Sequence, residues 1–328
     1  MFNKRQILAA LAISACTVVA GLSQITAASA ADEIRMGSRL EYWDVNYRLG
    51  KFDAKYGLKA VPVPFSTGVE VITALQSGEI DIASSGHVPM TVLFSKTDKV
   101  IAIGVTSYSN GAIYRLVVPK NSTAKSIDDL KGKVIATKIG SGSYNAFLNY
   151  LKHKGLQEKQ FKIKNAGPGA ILAAMQAGSV DAGIWFDPTI ALILHQGFGR
   201  VLFDFSNQAQ ALGFWLVNRK FAEEHPDVVV RFLAGAEDQA DLLTQHPDQA
   251  AKNISAGYKA RGHNYGPEVF EGGLPLFDFG IHIKDEYIKD VKDTYAFFKA
   301  NGRIKGDEPN WSTLFNTDYL KKAEAIRK

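Results

Sequence analysis

Apolar positions recur along the chain at two periods, every second residue in short runs and every third or fourth in longer ones. The first period and short apolar runs predict strands, and the second predicts amphipathic helices. Strands are predicted at residues 33–36, 58–63, 101–105, 114–118 and 133–136, and helices at 47–56, 69–76, 170–177, 226–244 and 285–301. Strands that alternate with helices over most of a chain indicate an α/β fold.

One phrase occurs twice, as ALQSGEID at residues 74–81 and as AMQAGSVD at residues 174–181. In each copy a helix meets a glycine, Gly78 or Gly178, which suits the left-handed conformation after a helix, and a β-branched stretch follows. Each copy then enters a loop that contains proline. Because ligands of open α/β sheets bind at the carboxyl ends of strands, the repeat predicts two α/β lobes that face a cleft.

The first thirty residues differ in composition from the rest. Two basic residues precede an apolar stretch at 7–20, and a run of small residues ends at Ala30, which is the pattern of a secretory signal peptide cleaved near that residue. Residues 13–16 read ISAC, which is similar to the site where bacterial lipoproteins are acylated, so lipid anchoring at Cys16 is an alternative. Cys16 is the single cysteine, and cleavage leaves no disulfide and no thiol nucleophile.

Composition excludes several classes of protein. Of 328 residues, 46% are hydrophobic, and 38 lysines and arginines face 33 acids. Such a chain is not intrinsically disordered, and its body has no apolar run near the ~20 residues of a membrane-spanning helix. The net charge of +5 is spread along the chain, so we expect no nucleic-acid partner.

Signals for catalysis are sparse. The seven histidines stand apart in the sequence, without the spacing of metal ligands. Residues 140–143 read GSGS, which is the wrong order for the G-x-S-x-G elbow of a serine hydrolase. We therefore expect a binding protein with no catalytic residues, no cofactor and no metal site.

The loop at residues 140–143 carries the most chemistry for a ligand. It follows a predicted strand, opens a helix and offers the hydroxyls of Ser141 and Ser143. Unpaired amides at a helix start suit an anion. A serine that only caps its helix is the alternative. The loop has neither the lysine of a P-loop nor the glycine spacing of a dinucleotide loop, so nucleotide binding is not expected.

Aromatic side chains occur at predicted loops and helix starts, where rings with a polar edge line small-molecule pockets. Each could instead belong to the core. Glu41 and Asp187 could pair with a ligand ammonium group, Arg39 with an acid, and His87 could donate to one. The aromatic residues are Tyr42, Trp43, Tyr108, Tyr144, Trp185, Phe186, Phe214 and Trp215.

The repeat phrases, extended to ALQSGEIDIASSGHVP at 74–89 and AMQAGSVDAGIWFDP at 174–188, carry a family resemblance. Together with DLKGK at 129–133, the loop at 140–144 and FAEEHPDVV at 221–229, they are similar to the periplasmic solute-binding proteins of taurine, alkanesulfonate and nitrate ABC importers. The chain resembles that family from residue 34 to about residue 298. Binders of thiamine-precursor pyrimidines belong to the same superfamily.

The resemblance implies a type II periplasmic binding protein fold, with two α/β lobes and a ligand cleft between them. Residues 31–115 and 219–328 would form lobe one and residues 116–218 lobe two, after the signal peptide at 1–30. In that family serine hydroxyls and helix-start amides hold the solute. The expected ligand contacts are Tyr42, Trp43, Ser85, Gly86, His87, Tyr108, Ser141, Ser143, Tyr144, Trp185, Asp187 and Trp215.

The function implied is that of the substrate-binding component of an ABC importer. It would capture a small organic anion in the periplasm, an alkyl or aryl sulfonate such as taurine, and as a monomer deliver it to an inner-membrane permease and its ATPase. Trp185 stands three residues before Pro188, one more than in taurine binders, and His87 replaces a small residue. Both differences argue against taurine itself, and the many aromatic residues favour a larger or flatter solute. An aromatic carboxylate or a thiamine-precursor pyrimidine is therefore the alternative, followed by an enzyme or sensor on the same fold.

Overall fold

The computed structural model describes residues 31–327, so the predicted signal peptide and Cys16 lie outside the described residues. Within this range the strands are β1 (Asp32–Ser38), β2 (Leu58–Pro64), β3 (Ile82–Gly86), β4 (Val100–Ser109), β5 (Arg115–Pro119), β6 (Val134–Thr137), β7 (Lys162–Asn165), β8 (Ala182–Trp185), β9 (Gly199–Asp204) and β10 (Ala211–Asn218).

Helices separate most of these strands and continue beyond the last one. They are α1 (Tyr42–Leu49), α2 (Phe52–Lys55), α3 (Gly68–Ser77), α4 (His87–Phe94), α5 (Gly142–His153), α6 (Pro168–Gln176), α7 (Thr189–His195), α8 (Arg219–Glu224), α9 (Pro226–Gln245), α10 (Pro247–Lys259), α11 (Glu268–Glu271), α12 (Asp285–Ala300) and α13 (Asp318–Ile326). Within residues 31–327, no helix combines the length and apolar character needed to cross a membrane.

The strands form two five-stranded sheets with the same topology. The first has the order β2-β1-β3-β10-β4 and the second β7-β6-β8-β5-β9. In each sheet the first three strands in this order pair in parallel. The fourth, β10 or β5, runs antiparallel to both of its neighbours, the third strand and the fifth. Each of these mixed sheets forms one of the two lobes together with the helices between its strands. This confirms the predicted fold class. Strand β10 belongs to the first sheet, although the predicted boundary at residue 218 places it in lobe two.

The repeated phrase has the same structural role in both lobes. Gly78 and Gly178 both adopt the left-handed conformation, with φ of +77° and +63°, as predicted. The carboxylate of the aspartate three residues later accepts a hydrogen bond from a backbone amide of the neighbouring strand. Asp81 Oδ2 accepts from the Arg35 amide, and Asp181 Oδ2 accepts from the Val134 amide, each at 2.8 Å. Each aspartate therefore closes the junction between a helix and two parallel strands.

Replacing Asp181 with alanine is expected to lower the free energy of unfolding by about 1–2 kcal/mol, because the Val134 amide loses its charged acceptor. Asparagine keeps an acceptor oxygen, so Asp181→Asn should lose less stability than Asp181→Ala. Urea unfolding followed by circular dichroism measures both changes. Equal losses for the two variants would show that the hydrogen bond is not the cause.

The predicted helix at 47–56 is wrong in its bounds. The chain instead forms α1 and α2, and Lys51 between them has φ of +59°, which interrupts the helix. Consequently Tyr42 and Trp43 lie at the start of α1 rather than in a loop. The predicted helices at 226–244 and 285–301 are confirmed within one residue, as α9 and α12. Aromatic and aliphatic side chains of α9 pack on the first sheet, with Phe232 against Trp215.

Candidate functional site

A small cavity lies between the two sheets, at the carboxyl ends of their parallel strands. It is lined from the first lobe by the segments after β1, β2 and β3, and from the second lobe by those after β6 and β8. The cavity offers about 60 Å³ to the centre of a water-sized sphere. The space between the two lobes at this point is therefore small.

Three helices point their N-termini at this cavity. They are α3, capped by Thr67, α4, which begins after Gly86, and α5, capped by Ser141, and all three cap residues line the cavity. The Thr67 and Ser141 side chains accept only the third amide of their helices, and no side chain caps α4. The remaining first-turn amides and the positive ends of three helix dipoles favour an anion here.

Lys138 adds a full positive charge to the lining. It follows β6 and is half-buried. Among the described residues its ammonium group has no acidic partner and no hydrogen-bond acceptor. A half-buried cation without a counter-ion, beside three helix N-termini, is available to pair with a ligand anion.

A second cation, Arg39, is already engaged. Its Nη2 lies 2.7 Å from Glu41 Oε2, and it donates to Ser84 Oγ at 2.9 Å. Ser84 in turn donates to Asp44 and accepts from the Trp43 indole, so the loop after β1 is held rigidly. Burial raises the pKa of Glu41 to about 8, although Arg39 opposes the shift. Burial therefore disfavours the charged form of Glu41 beside the proposed anion site.

Aromatic rings form the walls. Trp185 and Phe186 stack with ring centroids 5.1 Å apart, and Tyr114 meets Phe186 edge to face at 6.0 Å. The Tyr114 phenol lies against the start of α5, where a Cβ on Gly142 would stand 2.0 Å from its oxygen. Only glycine fits at that position. Burial raises the pKa of Tyr114, so its hydroxyl stays a hydrogen-bond donor.

A larger cavity adjoins the first. It offers about 480 Å³ by the same measure and shares Arg39, Glu41, Trp185 and Phe186 with the smaller one. Its other walls come from α6, α7 and the segment after α10. A solute held in the small cavity could therefore extend a bulkier tail past the Trp185–Phe186 pair.

The structure brings four of the twelve predicted contacts together in the lining of the small cavity. These are Trp43, Gly86, Ser141 and Trp185. Arg39, Glu41 and Phe186, which the sequence also indicated as candidates, line it as well. They come from four different strand ends and both lobes, as expected for a site at the carboxyl edges of two sheets.

Four further predicted contacts lie next to the lining but are not part of it. Ser85 Oγ faces the Gly68 carbonyl at 3.4 Å, and Ser143 is fully buried with no hydrogen-bond partner for its hydroxyl among the described residues. Tyr42 donates to the Phe270 carbonyl at 2.9 Å. Asp187 forms a buried ion pair with Arg115.

The other four predicted contacts lie elsewhere. His87 is buried on α4 with Nδ1 3.3 Å from the Leu212 carbonyl, and burial lowers its pKa to about 4. Tyr108 stacks on Tyr287 at 5.3 Å. The Tyr144 hydroxyl contacts Glu158 and Arg303, and Trp215 is 1% exposed in the core. None of these four residues lines the small cavity.

Sequence reasoning missed several lining residues. Lys138 stands two residues before the GSGS loop, so its position beside a predicted anion site was a usable signal. Thr67 and Glu70 form a capping box, which marks the start of α3 in the sequence. Tyr114 directly precedes β5 and gave no signal, because only the three-dimensional structure shows that its ring lies against the start of α5.

Known structures share this fold. The alkanesulfonate-binding protein SsuA of Xanthomonas axonopodis pv. citri, solved with bound MOPS, has a TM-score of 0.76 at 22% identity, covering 87% of this chain and 98% of that one. The aliphatic sulphonate binding protein SsuA of Escherichia coli has a TM-score of 0.71 at 25% identity, covering 86% and 97%. The chain thus has the two-lobed fold of periplasmic binding proteins.

Sequence comparison identifies the family. The chain matches the model of the NMT1/THI5-like family over residues 52–250, more than half its length, and belongs to that family. The taurine-binding periplasmic protein of Escherichia coli K12 is 29% identical over 267 residues, which cover 78% of this chain and 82% of that protein.

Proposed function

We propose that this protein is the solute-binding component of an ABC importer and that it captures a small alkanesulfonate such as taurine. The observation that carries the proposal is the convergence of three helix N-termini and the unpaired Lys138 on one small cavity between the lobes. A sulfonate offers three oxygens that can each accept from a different helix start or from the ammonium group. The names of the taurine and alkanesulfonate binders among its relatives support the same solute class.

Cavity size separates the candidate solutes. The small cavity suits a sulfonate group with a short alkyl chain. An aryl sulfonate, an aromatic carboxylate or a pyrimidine would have to extend past Trp185 and Phe186 into the adjoining cavity. We therefore favour a short alkyl sulfonate over these larger solutes.

The site supports binding rather than catalysis. The described residues that line the cavity include no histidine and no cysteine, the side chains that most often serve as a general base and as a thiol nucleophile. The protein would act in the periplasm, like the taurine-binding relative. It would deliver its solute to a permease and its ATPase at the inner membrane. We propose that it acts as a monomer, with the signal peptide at residues 1–30 removed.

Calorimetric titration tests the solute class. The purified protein would be titrated with taurine, ethanesulfonate, longer alkanesulfonates, an aryl sulfonate, an aromatic carboxylate and a thiamine-precursor pyrimidine. We expect binding of the short alkanesulfonates with one solute per chain. Tighter binding of the aryl compounds, the carboxylate or the pyrimidine would contradict the proposal.

Lys138→Met tests the anion contact. Removing a half-buried cation that pairs with the solute should weaken sulfonate binding at least about tenfold, with a smaller dependence of affinity on salt concentration. Lys164→Met on the edge strand β7 is the matched control, because Lys164 is exposed and lies outside the cavity. Equal affinities of the two variants would remove Lys138 from the site.

A further inference from the structure

Three metal-ligating side chains from distant parts of the sequence meet where α13 packs against α9. Glu237 lies on α9, Glu324 on α13, and His282 on the segment 277–284 that precedes α12. This segment is fixed to the first sheet by a hydrogen bond from the Val105 amide to the Ile281 carbonyl at 2.7 Å. One ligating atom from each of the three side chains lies within 4.8 Å of the other two.

The glutamate on α9 is unusual in its burial. Glu237 is 6% exposed, and its Oε2 has no hydrogen-bond partner among the described residues. A buried carboxylate oxygen without a donor or a cation carries a large desolvation cost. The other two ligands are accessible, since the His282 and Glu324 side chains are 61% and 45% exposed. The inner side of the cluster is therefore the buried Glu237 carboxylate, which has an oxygen without a hydrogen-bond partner among the described residues. The outer side is exposed, so an ion can enter from solvent.

The basic side chains near this cluster are engaged with aspartates. Arg327 donates to Asp238 at 2.9 Å and also contacts Asp241. Asp238 accepts from Lys55 at 2.6 Å as well. Among the described residues, Lys55 and Arg327 thus form their ion pairs with aspartates and none with Glu237 or Glu324.

We propose that Glu237, His282 and Glu324 form a binding site for a divalent transition-metal ion of the Zn²⁺ type. One imidazole nitrogen, two carboxylate oxygens and a water complete the tetrahedral coordination that such an ion takes. His282 Nε2 already lies 2.7 Å from Glu324 Oε1. Tetrahedral ligands of zinc stand roughly 3.4 Å apart, so only the two exposed side chains need to move, by about an ångström.

The donor set decides the kind of ion. Calcium requires six to eight oxygens, and magnesium a near-octahedral shell of oxygens, whereas the imidazole and mixed nitrogen and oxygen donors suit zinc. Bound here, the ion would fasten α13 to α9 and to the segment 277–284. The three ligands are separated by more than forty residues in the sequence, so ligand spacing along the chain could not predict the site.

Zinc titration of untagged, chelator-treated protein tests the proposal. Competition with a chromophoric chelator should show one high-affinity equivalent of Zn²⁺ per chain, and a hundredfold excess over its dissociation constant should raise the melting temperature by about 5 °C. Glu237→Gln and His282→Asn should each weaken zinc binding at least about tenfold and abolish most of this shift. No bound equivalent in the unaltered protein would overturn the site.

His246→Asn is the matched control, because His246 is an exposed histidine outside the cluster. Its variant should bind zinc like the unaltered protein. Loss of zinc binding in this control, or unchanged binding in His282→Asn, would show adventitious binding and overturn the proposal. If Glu237→Gln does not fold, the exposed Glu324→Gln takes its place and must lose affinity in the same way.

Discussion

Replacing Gly142 with alanine is expected to weaken solute binding about ten- to a hundredfold. The new Cβ would stand 2.0 Å from the Tyr114 hydroxyl oxygen and 2.8 Å from its ring carbon Cζ, far inside contact distance. Either the Tyr114 ring or the first turn of α5 must shift, and both line the cavity. Overpacking of this kind costs about 1–3 kcal/mol. If the cost destabilises the conformation that binds the solute, each 1.4 kcal/mol lowers the affinity about tenfold.

A second substitution separates the steric cause from a general loss of structure. In the double variant Gly142→Ala with Tyr114→Phe, the oxygen that lies closest to the new methyl group is gone, so part of the affinity should return. Gly272→Ala is the matched control, because a Cβ there meets nothing within 4 Å. Calorimetry measures affinity and thermal unfolding measures folding. An unchanged affinity in Gly142→Ala would show that the start of α5 does not hold the solute.

Local sequence signals were sufficient for the parts of the fold that depend on a few neighbouring residues. The glycines at 78 and 178 were predictable because a left-handed residue after a helix favours glycine strongly. The end of helix α1 was not predictable in the same way, since Lys51 adopts a left-handed conformation that its side chain does not favour.

The candidate site shows a similar division. Ser141 was found because a glycine-rich loop between a strand and a helix exposes backbone amides whatever the side chains do. Tyr144 was predicted from the same loop, yet its ring points to Glu158 and Arg303. The amides of a helix start point along the axis, while each side chain points to the side. Sequence therefore predicts a helix N-terminus that binds an anion better than it predicts which flanking side chains touch it.

The aromatic residues illustrate the limit most clearly. Trp185 is the last residue of an apolar strand and Trp215 lies within another. The residues that precede and follow the two tryptophans are similar. Trp185 is the last residue of β8, so it reaches the cleft, whereas Trp215 lies in the middle of β10 and packs on Tyr47 and Phe232. The depth of a residue along its strand decides between contact and core, and strand ends are what sequence patterns locate least accurately.

Glu41→Gln is expected to stabilise the protein, by an amount that grows with pH. Burial raises the pKa of Glu41 from 4.5 to about 8 in the folded protein. Between these two pH values the carboxyl of Glu41 is ionised in the unfolded chain but still protonated in the folded protein. The free energy of unfolding of the unaltered protein therefore falls as pH rises, by at most about 1.4 kcal/mol per pH unit. Glutamine has no proton to lose and escapes this penalty. The two proteins should agree below pH 4.5 and differ most above pH 8.

Urea unfolding across this pH range measures the difference, and Asp129→Asn serves as a control of opposite sign. Hydrogen bonds from the Lys125 and Ser126 amides lower the pKa of Asp129, so its carboxylate stabilises the folded state at neutral pH and loses that effect in acid. Asp129→Asn should therefore be less stable than the unaltered protein at neutral pH and approach it in acid. A pH-independent effect of Glu41→Gln would contradict the raised pKa.

The same carboxyl links stability to binding, because Glu41 lines the cavity. As it ionises around pH 8, a negative charge develops beside the proposed sulfonate, and ethanesulfonate affinity should fall. Taurine carries an ammonium group that the new carboxylate can attract, so its affinity should fall less than that of ethanesulfonate. In Glu41→Gln the difference between the two pH profiles should disappear. Parallel profiles in the unaltered protein would mean that Glu41 does not face the amino end of the solute.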